Sequence, residues 1–81
     1  MKEFVEYIVK NLVDHPDNVR INKIEGTNTL VIELSVDKTD IGKVIGKKGK
    51  TINAIRTLLM SVASRNGLRV SLEILEENDK A

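Results

Sequence analysis

Val44-Ile45-Gly46-Lys47-Lys48-Gly49-Lys50-Thr51-Ile52 decides the reading of this 81-residue chain. Gly46 and Gly49 lack a Cβ, so the backbone can turn sharply between them and a second backbone can come close. Apolar residues stand on both sides, at the spacing of helices that the glycines interrupt. A helix starting near Lys50 leaves its first amide N–H groups without partners inside the helix, and its dipole adds partial positive charge at the same place. Such an end attracts phosphate. Lys47 and Lys48 add two mobile charges on the loop, and Lys43 and Lys50 extend the basic zone on either side.

The charge of the whole chain hides this concentration. Residues 41–60 hold Lys43, Lys47, Lys48, Lys50 and Arg56 with no acid, a local charge of +5. Residues 1–20, 21–40 and 61–81 carry −1, −2 and −1, and the chain totals +1. A nearly neutral chain with one basic segment is arranged to meet an anion at one place. Charge alone would also fit a solvated helix face. Gly49-Lys50-Thr51 imitates the end of a nucleotide-binding P-loop. That motif needs a glycine where Val44 stands and a strand where the pattern reads helix, so it is excluded.

Outward from the loop, the periodicities predict α-β-β-α-α-β. Phe4, Val5, Ile8, Val9, Leu12 and Val13 recur at helical spacing, with Glu3, Glu6 and Lys10 outside. His15-Pro16 ends that helix, because a residue before proline is pushed out of the helical region. His15 there reads as a capping or solvated residue. Val19 and Ile21 alternate with polar neighbours as a strand. Ile24 breaks the parity and predicts a bulge or strand end near Lys23. Residues 26–29, Gly-Thr-Asn-Thr, form a turn cluster. Leu30, Ile32, Leu34 and Val36 then alternate as a clear strand. Asp37 is a candidate N-cap for a short helix through Thr39, Ile41 and Val44. A longer helix runs from about Lys50 to Asn66, with Gly67 at its C-terminal cap. Val70, Leu72 and Ile74 form a last strand. The expected architecture is α+β: a three-stranded sheet with helices covering one face. Residues 1–75 form the domain, and Glu76 to Ala81 read as a polar tail.

The nonapeptide resembles the KH-domain signature V-I-G-x-x-G-x-x-I, and the element order resembles the type II form of that domain. The wider run from Asp40 to Thr57 is similar to the KhpA family, small bacterial free-standing KH proteins. The resemblance implies single-stranded RNA as ligand, with the GxxG loop clamping the backbone of about four nucleotides and the bases in a neighbouring apolar groove. It places Gly46 and Gly49 at the close approach and Lys47 and Lys48 on phosphates, flanked by Lys43 and Lys50. Ile45 and Ile52 line or support the groove, although both also sit at core spacing. The chain has one Phe, one Tyr and no Trp. Single-strand binders that gain affinity by base stacking use aromatic rings. Binding is therefore expected to be weak, salt-sensitive and of little sequence preference.

The long helix offers a second surface. Ile52, Ile55, Leu58, Leu59, Val62 and Ala63 are expected to face the sheet. Ala54, Leu58 and Ser61 mark one edge, where small residues beside an apolar one can pack against a helix of a second subunit. Ordinary exposed surface would look similar. The family resemblance implies self-pairing, pairing with a larger KhpB-like partner, RNA chaperone or post-transcriptional roles, and a link to cell shape. An interaction module with secondary RNA contact is the alternative reading.

Other classes find little support. There is no Cys and one His, so disulfides, thiol chemistry and a His/Cys metal site are excluded. No nucleophile–base pair can be assembled, and Asp40 near the basic loop reads as a first-turn acid favoured by the helix dipole. No enzyme activity and no cofactor are expected. No stretch has the length of a membrane span, and the N-terminus lacks a signal-peptide pattern, so the expected location is the cytoplasm.

Overall fold

The computed structural model describes residues 2–75, so the polar tail at 76–81 lies outside the described residues. The order is α1 (Lys2–Leu12), β1 (Arg20–Glu25), β2 (Thr29–Ser35), α2 (Ile41–Ile45), α3 (Lys50–Arg65) and β3 (Arg69–Leu75). Short 3-10 turns at Pro16–Asn18, Lys38–Asp40 and Lys47–Gly49 join them. The sheet order is β1-β2-β3, with β1 antiparallel and β3 parallel to the central strand. The α2–α3 connection carries the chain from β2 to its parallel neighbour, as a crossover must.

Strand alternation sets which face is covered. Leu30, Ile32 and Leu34 of β2 point to the helices and are buried, followed by Val36. Val5 and Val9 of α1, Val44 of α2, and Ile52, Ile55, Leu59 and Ala63 of α3 close over them. β3 adds Leu72, with Val70 and Ile74 partly buried beside the same core. On the other face, Glu33 stands in register between Asn22 and Glu73, and the Asn22 amide donates to its carboxylate at 3.1 Å. Two carboxylates side by side on neighbouring strands are unfavourable to each other. Arg20 and Arg69 lie on the same face, so its charges balance.

Three sequence expectations change in detail. Ile24 makes no bulge: β1 pairs with β2 without interruption from Arg20 to Glu25. Ile24 sits on the open face opposite Val31, so its parity break is a change of face rather than of register. Leu58 and Val62 do not join the core. They are 50% and 43% exposed, because the sheet is too narrow to cover the whole apolar arc of α3. On α1, Phe4 and Leu12 sit at the rim, and Val5 and Val9 carry the burial.

The end of α3 shows how local chemistry fixes a boundary. Gly67 has φ of 70°, its N–H bonds to Ser64 O at 3.2 Å, and the Leu68 N–H bonds to Ala63 O at 2.9 Å. This paired closure is the Schellman motif, which needs a residue content with positive φ. It turns the chain at once into β3, which places the outer edge of that strand beside α3.

Candidate nucleic-acid interface

The GxxG loop is built from backbone conformations that most residues avoid. Gly46 has φ 78° and ψ 175°, a region essentially reserved for glycine. A Cβ there would run into the Thr51 side chain and lie 2.9 Å from the Thr51 amide nitrogen. Lys48 has φ 55° and ψ 26°, and Gly49 has φ 75° and ψ 15°, both left-handed. A Cβ on Gly49 would meet Asn53 Nδ2 at an ordinary 3.6 Å. The first glycine is therefore required by both conformation and space, the second by conformation alone.

Gly49 is the N-cap of α3, and no side chain caps the helix. Its first turn keeps donors available that a Ser or Asp cap would have used. Lys47, Lys48 and Lys50 are exposed and form no ion pair among the described residues. Lys43 differs: its ammonium lies 3.2 Å from an Asp14 carboxylate oxygen. Three cations thus surround the loop unpaired, and the fourth is partly neutralised.

An anchor behind the loop was not legible as such in the sequence. Asp40 is completely buried at the start of α2. Its carboxylate accepts from the Asp14 N–H at 3.2 Å and the His15 N–H at 3.0 Å, and His15 Nδ1 donates to it at 3.1 Å. Burial alone would raise its pKa. The hydrogen bonds from Asp14 and His15 and the charge of His15 outweigh burial and hold it below the ordinary carboxylate value. Asp40 makes no side-chain cap to α2, so its role is to tie the α1–β1 connection to the helix that leads into the GxxG loop. Asp37 nearby does act as an N-cap. It accepts from the Thr39 N–H at 3.0 Å and the Thr39 hydroxyl at 2.7 Å, and these bonds with Asn18 lower its pKa to about 2.

Further along α3 runs a groove of about 330 Å³ between the helix and the outer edge of β3. Arg56, Leu59 and Met60 form one wall and residues 70–73 the other. A second hollow lined by Met60, Leu68, Arg69 and Val70 continues it. Arg56 lies in the groove with both Nε–H and Nη2–H donating to the Leu72 carbonyl, at 3.2 and 3.1 Å. The sequence marked Arg56 only as one more cation. Its partner is a backbone carbonyl, which no residue pattern advertises. Ile52 is 5% exposed and belongs to the core, and Ile45 is partly buried against the same cluster. Neither is among the residues that line the groove. Ala54, Leu58 and Ser61 are exposed together on the opposite flank of α3.

Residues 2–74 match the family model described as the KH domain of KhpA and KhpB. The chain belongs to the KhpA/KhpB KH-domain family. It is 69% identical to the RNA-binding protein KhpA of Chlamydia pneumoniae over 95% of this chain and 99% of that protein. Identity is 51% to RNA-binding protein KhpA of Aquifex aeolicus, over 94% of this chain and 96% of that one. It is 49% to the protein of that name in Listeria monocytogenes, covering 94% and 100%. Among solved structures, Era in complex with MgGDPNP and nucleotides 1506–1542 of 16S ribosomal RNA is similar, with a TM-score of 0.57 and 28% identity. That similarity spans 93% of this chain and 29% of Era, so it concerns one part of the larger protein. The KH-type α+β fold expected from the loop and the strand pattern is the fold observed.

Among the described residues, no helix is long and apolar enough to cross a membrane, and no three His, Cys, Asp or Glu side chains gather into a metal-ligating group.

Proposed function

We propose that this protein binds single-stranded RNA in the cytoplasm, holding the sugar-phosphate backbone at Gly46–Gly49 and laying bases into the groove between α3 and β3. The observation that carries this reading is the positive-φ loop at Gly46, Lys48 and Gly49, opening onto an α3 with no side-chain cap, among three lysines without an ion pair among the described residues. Backbone amides and lysines meet phosphates, and the glycines let the strand approach. Kinship with proteins named for RNA binding supports the same ligand.

The grip is mainly electrostatic, so binding is weak and salt-dependent, as suits an RNA chaperone or post-transcriptional regulator acting on many transcripts. The test is a Lys47→Asp/Lys48→Asp variant, with folding checked by circular dichroism. Binding of a fluorescent single-stranded RNA should fall by at least about tenfold, since two attractive charges become repulsive. Unchanged binding by the folded variant would remove the loop from the site.

A second reading rests on the other flank of α3. Ala54, Leu58, Ser61 and Val62 present an exposed apolar strip with small residues, suited to pack against the same strip of a second copy or against a KhpB-like partner. Pairing would place two RNA grips in one particle and raise avidity without new RNA contacts. If the double-Asp variant loses RNA yet keeps its pairing and its cellular role, the interaction is the main function and RNA contact is secondary.

A further inference from the structure

Arg56 uses only part of its hydrogen-bonding capacity. A guanidinium has five N–H donors in a rigid plane. Nε–H and one Nη2–H are spent on Leu72 O. That bond fixes the plane of the group and leaves the opposite edge, formed by Nη1 and the second Nη2–H. Among the described residues Nη1 has no hydrogen-bond partner. Leu59, Met60 and Val70 supply the apolar part of the surrounding wall, Ser71 and Glu73 its polar part, and the hollow has the volume of a small-ligand site. Arg56 lies six residues along α3 from Lys50, about 9 Å of helical rise, so loop and groove share one rigid element.

Resting on the RNA-binding reading above, we propose that Arg56, held by Leu72, reads one nucleobase by presenting a fixed pair of donors. A donor pair selects a base with two adjacent acceptors. Guanine offers O6 and N7, and cytosine offers O2 and N3. Adenine places an amino donor beside its acceptors, and uracil places N3–H between its oxygens, so each leaves one arm of the fork unmatched or opposed. The apolar wall supports either ring by contact, with Met60 adapting to its size. Leu72 is the positioning partner: without that carbonyl the guanidinium would turn and the pair of donors would lose its direction. The preference concerns a single position and is superimposed on a backbone grip that does not discriminate.

The experiment uses labelled oligouridylates about ten nucleotides long in which one central base is U, A, C or G, with affinities measured by fluorescence anisotropy. The wild-type protein should bind the C or G oligomer about tenfold more tightly than the U and A oligomers, the scale of one good bidentate contact. Arg56→Lys keeps the charge and loses the fork. It should abolish the preference, so that all four oligomers bind with equal affinity. Arg56→Met should abolish the preference too, with a salt slope smaller by less than one phosphate. The Lys47→Asp/Lys48→Asp variant should lose affinity for all four oligomers together. Equal affinities for all four in the wild type, or a preference that survives in Arg56→Lys, would overturn the role of Arg56 while the loop reading stood. Absence of binding to any oligomer would overturn both. The wild-type measurement decides the matter even if a substituted protein does not fold.

Discussion

The two flanks of α3 are made from the same helix and present opposite surfaces. One flank, with Arg56 and Met60, faces the outer edge of β3 across a hollow and carries a polar group fixed by a backbone carbonyl. The other, with Ala54, Leu58, Ser61 and Val62, is exposed among the described residues and carries side chains that are apolar or small. A concave surface with an oriented donor suits a ligand with polar edges. A convex apolar strip suits another helix, which gains by excluding water over a broad area. Between the flanks, Ile52, Ile55, Leu59 and Ala63 hold α3 on the sheet, so either surface can be altered with little effect on the other.

That independence can be broken most forcefully by exchanging charges. Met60→Glu puts an anion into the groove and should weaken RNA binding about tenfold by repulsion, with the elution volume in size-exclusion chromatography unchanged. Leu58→Glu should do the reverse: pairing through α3 is lost, and RNA affinity per subunit measured on short oligomers stays the same. An unchanged dimer would exclude the Ala54–Leu58–Ser61 edge. A coupled loss of both properties in either variant would mean that the flanks form one site.

The loop that leads into α3 provides the next test, through its two glycines. Gly46→Ala should cost more than about 2 kcal/mol in denaturant unfolding, from the glycine-only backbone region together with the Thr51 contact. Gly49→Asn should cost less than about 1 kcal/mol, because asparagine tolerates the left-handed region and space is open. Equal costs would mean that the loop relaxes freely and does not hold a preformed grip.

A smaller effect comes from salt. With Lys47, Lys48 and Lys50 each meeting a phosphate, log K against log salt for single-stranded RNA should have a slope of about −2, at roughly 0.7 per phosphate. Met60→Glu should shift that line with little change of slope, whereas substitutions in the loop should flatten it.

The smallest effect concerns acid. Asp40 and Asp37 both have folded pKa values below the ordinary carboxylate value, Asp37 at about 2. The unfolded chain then binds more protons between the two values. Stability from these groups is complete above about pH 4, the unfolded range, and is lost as the pH falls through the folded values. Asp40→Asn should lower the melting temperature at neutral pH and flatten the acid side of the stability curve. An acid limb as steep as that of the wild type would show that another group governs it.

How much could be read beforehand differs by kind of feature. The alternation from Leu30 to Val36, the glycine pair in the basic segment and Gly67 at a helix end each depend on neighbours in sequence, and each predicted its element closely. Leu58 and Val62 were misassigned because a helical wheel reports apolar character, not what covers it. An exposed apolar flank and a flank that meets the core have the same composition. Asp40 escaped because its partners, Asp14 and His15, lie far back in the chain. Arg56 escaped because a carbonyl has no sequence identity. The edge of β3, which forms half of the groove, exists only once β2 has taken the central place in the sheet.

The most direct test of the division between the two flanks is a map of backbone amide shifts in the isotope-labelled protein during titration with a short single-stranded RNA. Shifts should concentrate on Gly46 to Thr51, on Arg56 and Met60, and on Val70 to Leu72. Leu58, Val62 and the open-face residues Asn22 and Glu33 should stay still. Shifts centred on Leu58 and Val62 or on the open face of the sheet, with the Gly46–Thr51 amides unmoved, would contradict the account.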